Sequence, residues 1–166
     1  MLNTLFLTIA LLVSQHANAQ KATLAIEAAV VYRSGDVKPV ARVQFLVLDA
    51  SLPTILTDTP QPQDLSLITR DKDAQLIITY AKAALNAPGH ESFFNQASAA
   101  IKPHVIASEM TGFDGKAAFE NLPAKPCYLV AVTRAGQGWL IWNLKAELKP
   151  GKNKILLDQN NAAFVR

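Results

Sequence analysis

The sequence predicts a mainly β domain: an antiparallel sandwich of seven short strands, with a pair of α-helices inserted into it. Three observations carry this expectation. Apolar residues alternate with period two soon after residue 20, and again from residue 105 to the end. Gly, Pro and Asn punctuate those runs at turn spacing. Between them, at about residues 71–102, apolar residues recur at helical spacing instead.

The chain opens "MLNTLFLTIALLVSQHANAQ". Leu5 to Val13 is apolar except for Thr8, and Ala17-Asn18-Ala19 has the small-x-small form of a cleavage site. No Lys or Arg precedes the run, so the terminal amine supplies the positive end. This pattern predicts a signal peptide over residues 1–19 and a mature chain from Gln20, exported to the periplasm or outside the cell. No later apolar run approaches the roughly 18 residues of a spanning helix, so no transmembrane segment is expected in the mature chain. No Cys stands next to the cleavage site, so no lipid anchor is expected.

"ATLAIEAAVVYR" puts Leu24, Ile26, Ala28, Val30 and Tyr32 on one face, with Glu27 and Arg33 on the other. It predicts a half-buried first strand, ended by the turn "SGD" at 34–36. "VARVQFLVL", residues 40–48, predicts a second, with Val43, Phe45 and Val47 facing one way and Arg42 and Gln44 the other. Pro53, Pro60 and Pro62 then argue against a regular strand or helix. In "DKDAQLIITYAKAALNAPG", Leu76, Ile77, Tyr80, Ala83 and Ala84 share a helical face. Asp71 can cap the start, and Pro88-Gly89 stops the run. "ESFFNQASAAIK" gathers Phe93, Phe94, Ala97 and Ile101 on one side of a second helix, ended by Pro103. Strands are then expected at about 105–111, 116–120, 127–134, 139–148 and 153–158. Phe164 and Val165 are apolar enough to dock on the sheet. Residues 20–166 thus read as a single domain with a helical insertion.

The cluster in "TGFDGKAAFENLP" reads as a hairpin. Asp114-Gly115 supplies the turn, Ala117 and Phe119 face inward, and Asn121 leads to another turn at Pro123. A calcium loop would need more carboxylates at alternate positions. This stretch, continued as "AKPCYLVAV", resembles the bacterial carboxypeptidase regulatory-like domains, which are similar in turn to transthyretin and the Cna protein B-type folds. The resemblance rests on Thr111, Asp114, Gly115, Phe119, Asn121, Leu122, Pro123 and Tyr128, with Gly35, Pro39 and Val40 upstream. It covers about residues 21–49 and 105–158. Ala124-Lys125-Pro126-Cys127 replaces the family's shorter Pro-Gly, and the helical insertion departs from its compact pattern. The resemblance implies a transthyretin-like sandwich and says little about function. The one enzyme type on that fold, the hydroxyisourate hydrolases, ends in Tyr-Arg-Gly-Ser; this chain ends Ala163-Phe164-Val165-Arg166.

Catalytic and metal motifs are weak. His90-Glu91 begins a zinc-protease pattern, but Phe94 stands where the second His is required. Asp71-x-Asp73 begins an EF-hand pattern, which Gln75 and Leu76 break. His104 and Cys127 complete no ligand set in sequence, and Cys127, alone in an apolar run, reads as a buried thiol. No metal, cofactor or catalytic residue is expected. Its 16 Lys and Arg against 13 acids are scattered, without the basic stripe of a nucleic-acid binder. In "GWLIWNL", Trp139 and Ile141 point one way, Leu140 and Trp142 the other. One Trp is then core; the other is expected to be covered by the inserted helices or, failing that, to stack on a sugar or peptide. The expected function is a non-enzymatic binding or accessory module of the cell envelope, whose partner is a protein or peptide. A glycan held on an exposed Trp is the alternative, and a hydrolase a more distant one. The candidate contact residues are Trp139, Trp142, Tyr80, Phe93 and Phe94.

Overall fold

The computed structural model describes residues 20–32, 34–62 and 71–165. The signal-peptide segment 1–19 lies outside the described residues. Among the described residues there are nine strands: β1 Lys21–Val31, β2 Val37–Pro39, β3 Gln44–Leu48, β4 Val105–Met110, β5 Lys116–Pro123, β6 Pro126–Ala135, β7 Gly138–Glu147, β8 Gly151–Leu157 and β9 Phe164–Val165. Seven correspond to the expected strands. The additional two, β2 and β9, are three and two residues long, too short for an alternation to register. The helices are α1 Leu52–Leu56, α2 Lys72–Ala84 and α3 Glu91–Ile101.

Two sheets face each other. In the first, β1 pairs antiparallel with β2 and β5 and parallel with β8. The parallel pair departs from the all-antiparallel expectation, because β8 returns from β7 in the opposite sheet and enters beside β1 in the same direction. The second sheet runs β4-β3-β6-β7-β9, antiparallel throughout. Between the sheets Leu24, Ile26, Phe119 and Leu122 meet Phe45, Val47, Leu129 and Trp142, all at most 2 % exposed. Burying such side chains is worth roughly 1.5–3 kcal/mol each, the main force closing the sandwich.

The opposite face of the second sheet is also buried. Leu48, Val130 and Ile141 pack under Leu52, Leu56, Ala81, Phe93, Ala97 and Ile101 of the helices. The molecule therefore has three layers: sheet, sheet and helices. This explains why β6 and β7 carry continuous apolar runs where a sandwich strand with one wet face would alternate. The chain leaves the sheet after β3 and returns at β4. There Asp49 N–H donates to the His104 carbonyl at 3.1 Å, and the two side chains meet at 2.7 Å. The three helices thus lie within one elaborated β3–β4 connection, whose two ends meet at Asp49 and His104.

Three local expectations are corrected. Pro53 does not exclude helix; it sits in the first turn of α1, where its missing N–H is not needed, and Ser51 caps that turn. The helical unit accordingly starts at α1, not at residue 71. Asn121 does not end its strand. It takes a left-handed φ of 57°, where the β1–β5 register shifts between Ala22 and Leu24, and β5 continues to Pro123. Asp71 caps α2 as its position suggested, its Oδ1 accepting from Asp73 N at 2.9 Å and Ala74 N at 3.2 Å. The Asp114-Gly115 turn is also present, with Gly115 at φ 75°. A Cβ there would collide with the Ala28 carbonyl, so only Gly fits. Among the described residues, no helix is long and apolar enough to cross a membrane.

Candidate binding cleft between the helices and the sheet

Where α2 and α3 rest on the second sheet they leave an open cleft of about 300 Å³. Its floor is Leu46 of β3 with Val130 and Val132 of β6. Its helical wall is Tyr80 and Ala84, one turn apart on α2, with Phe94 of α3. The Tyr80 and Phe94 rings are 6.5 Å apart and tilted by 30°. Arg42, Val43 and Gln44 complete the rim.

Arg42 is held with some force. Its φ of 57° is a left-handed conformation that non-Gly residues rarely adopt. Buried Thr111 pins the turn: its hydroxyl donates to the Val40 carbonyl at 2.6 Å and accepts from Val43 N–H at 3.0 Å. Arg42 N–H donates to the Thr111 carbonyl at 3.1 Å. The guanidinium lies 5.8 Å from the centre of the exposed Phe113 ring, and among the described residues it has no carboxylate partner.

Tyr80 is 8 % exposed. Among the described residues its hydroxyl has no hydrogen-bond partner, and it is not sealed from solvent. Burial pushes the phenol above its ordinary pKa, so it stays protonated and able to donate. The far end of α2 is tied down by Arg134 of β6, whose Nη2 donates to the Leu85 carbonyl at 3.0 Å.

Tyr80 and Phe94 are thus the two sequence-singled aromatics that meet in one cavity. Phe93, its neighbour on α3, points into the helix–sheet core at 2 % exposure. Trp142 is fully buried between the sheets, tilted against Phe45 at 5.6 Å. Its Nε1 donates to the Asp158 carbonyl at 3.0 Å and to Asn161 Oδ1 at 3.2 Å. Trp139 is on the opposite face, as the strand parity requires. It is half-buried in the helix-side cluster, and its closest ring neighbour is Phe164 of β9, 5.1 Å away, rather than a helix aromatic. Arg42, Gln44, Leu46, Val130 and Val132 were not singled out as contacts. Alternation marks Arg42 and Gln44 as facing away from the inter-sheet core, but only the fold shows that helices rise over that side.

The remaining reactive groups stand elsewhere. The Cys127 thiol lies in the inter-sheet core, pushed up to about 11 by burial and then by Glu147, with Lys125 opposing. His90 Nδ1 is 3.0 Å from the Pro88 carbonyl, while its Nε2 is buried without a partner among the described residues. Among the described residues no three His, Cys, Asp or Glu side chains stand together as a metal site would require.

No family model matches the chain, and no curated protein matches it. Among solved structures it is similar to a "putative carbohydrate binding protein" of Pseudomonas aeruginosa, at 9% identity over 85% of this chain and 90% of that one, with a TM-score of 0.47. It is also similar to the shaft pilin SpaA of Lactobacillus rhamnosus GG, at 12% identity over 83% of this chain and 49% of that one, TM-score 0.39. The pilus backbone protein RrgB of Streptococcus pneumoniae follows at 15% identity, over 82% and 41% of the two chains, TM-score 0.34. The chain spans half or less of either pilin. Likenesses at these scores carry no functional weight.

Proposed function

We propose that this protein is an exported, non-enzymatic binding or accessory module of the cell envelope that takes a protein or peptide segment into the cleft between α2, α3 and the second sheet. The observation that carries this reading is the Tyr80 hydroxyl: unpartnered among the described residues, on a buried residue that lines an accessible cleft with an apolar floor and a polar rim of Arg42 and Gln44. An apolar cavity with a few polar groups set to orient a guest is the usual form of a ligand site. The turn and core positions Thr111, Gly115 and Phe119 support reading the sandwich as one of the carboxypeptidase regulatory-like kind. Export as residues 20–166, one domain in the periplasm or outside the cell, belongs to the same proposal.

Removing the insert would strip a buried sheet face, so point changes at the cleft make the better test. A displayed random-peptide library is selected on the purified protein, and the recovered peptides are titrated against wild type and Phe94→Ala. Recovered peptides should lose roughly tenfold or more in affinity to the variant, the effect expected of an aromatic anchor. Peptides that bind wild type and a folded Phe94→Ala protein equally would place recognition elsewhere. The glycan reading rests on Trp139, and Phe164 already occupies one side of that ring.

A further inference from the structure

Resting on that reading, we infer that the cleft selects a guest with an apolar group attached to a carboxylate: a peptide chain end, or an acidic side chain beside an apolar one. The apolar half follows from Leu46, Val130, Val132 and Phe94 on the walls. The anionic half follows from charge. Arg42 is the one charged residue lining the cleft, and no Asp or Glu lines it. Its guanidinium has no carboxylate partner among the described residues, its neighbour being the exposed Phe113 ring.

Its placement is built. The hydrogen bonds around Thr111 hold the 41–43 turn in a conformation that an Arg would not choose alone. A guanidinium meets a carboxylate through two parallel N–H donors, so the guest's charge would be read as a planar fork. Gln44 competes little for that role, because its Nε2 already donates to Ser108 Oγ at 2.7 Å. Tyr80 supplies a second polar contact from the opposite wall, donating to a carbonyl of the guest. At about 300 Å³ the cavity suits one large side chain with its flanking backbone and no more.

The test uses three probes on the isotope-labelled protein, followed by amide shifts in solution. These are N-acetyl-alanyl-phenylalanine, its C-terminal amide, and N-acetyl-aspartyl-phenylalaninamide. At least one of the two acids should shift Leu46, Val130, Val132 and Phe94, and bind roughly tenfold tighter than the neutral amide, the size of one charge-assisted hydrogen bond. A preference for the first acid identifies a chain end; a preference for the second identifies an acidic side chain. Arg42→Asn, which tolerates the left-handed backbone, should erase the advantage of the acids over the neutral amide; Arg42→Lys should restore part of it. Equal binding of all three probes at the cleft, or an acid advantage that survives in a folded Arg42→Asn protein, overturns the carboxylate inference alone. Probes that shift no cleft residue at all overturn the peptide-binding reading with it.

Discussion

Cys127 shows how burial sets chemistry at one residue. The residue is 1 % exposed, and desolvation is the leading cause of a thiol pKa of about 11 against an ordinary 9.0. A thiolate is the reactive form, so native protein at pH 8 should resist iodoacetamide and label fully only in denaturant. Rapid native labelling would show that this face of β6 opens. The linkage has a definite sign. Between pH 9 and 11 the unfolded thiol ionises while the folded one does not, so the unfolded state binds fewer protons and stability falls as pH rises through that window. A Cys127→Ser variant, compared by urea titration at pH 8 and pH 10.5, should lose that part of the pH dependence. Trp142 is the other telling residue. Fully buried and doubly hydrogen-bonded, it ties β7 to the loop after β8. Trp142→Ala should cost about 3–5 kcal/mol in a urea titration. A loss below about 1 kcal/mol would mean the inter-sheet core does not close around it.

At the scale of elements, β9 shows how much two residues can do. It pairs with β7 through Leu140↔Val165 and Ile141↔Phe164, and so lays Phe164 on Trp139. Without it, Trp139 would present an open ring suited to sugar stacking, which is the arrangement the glycan reading needs. Phe164→Ala should shift part of the tryptophan emission to the red and make that part quenchable by iodide, while Trp142 stays shielded. Unchanged emission would mean Trp139 is covered by other groups. Elsewhere, α1 forms where prolines argued against it. The error lay in treating Pro as a uniform breaker, when a helix excludes it only beyond the first turn. Asn121 misled in the same way: a left-handed residue that commonly makes a turn here makes a bulge, because β1 continues beside it.

For the whole molecule, the three-layer arrangement gives the helical unit a structural role. Leu48, Val130 and Ile141 are each at most 1 % exposed beneath it. Replacing residues 52–102 with a short linker should therefore yield a sandwich that binds a hydrophobic dye and self-associates. Adding Val130→Thr and Ile141→Thr should relieve much of that. A deletion protein that is monomeric and dye-silent without those changes would show that the second sheet does not depend on its helical cover. The cleft belongs to this scale too, since β3, β6, α2, α3 and the 41–43 turn all contribute to it.

The sequence by itself determined the alternating strands, the inward faces of β1 and β3, the Asp114-Gly115 turn, the Asp71 cap and the opposite faces of Trp139 and Trp142. Each of these depends on neighbours within a few residues, through strand parity, helix periodicity or turn chemistry. Tertiary structure decided the parallel β1–β8 pair, the placement of Phe164 on Trp139, and the separation of Phe93 in the core from Phe94 in the cleft. It alone brought Arg42 and Tyr80 to one cavity, 38 positions apart in the chain. The reason is physical: an alternation says which side of a strand is apolar, but not what will be packed against it. That second fact arises only when distant segments compete to cover the same surface.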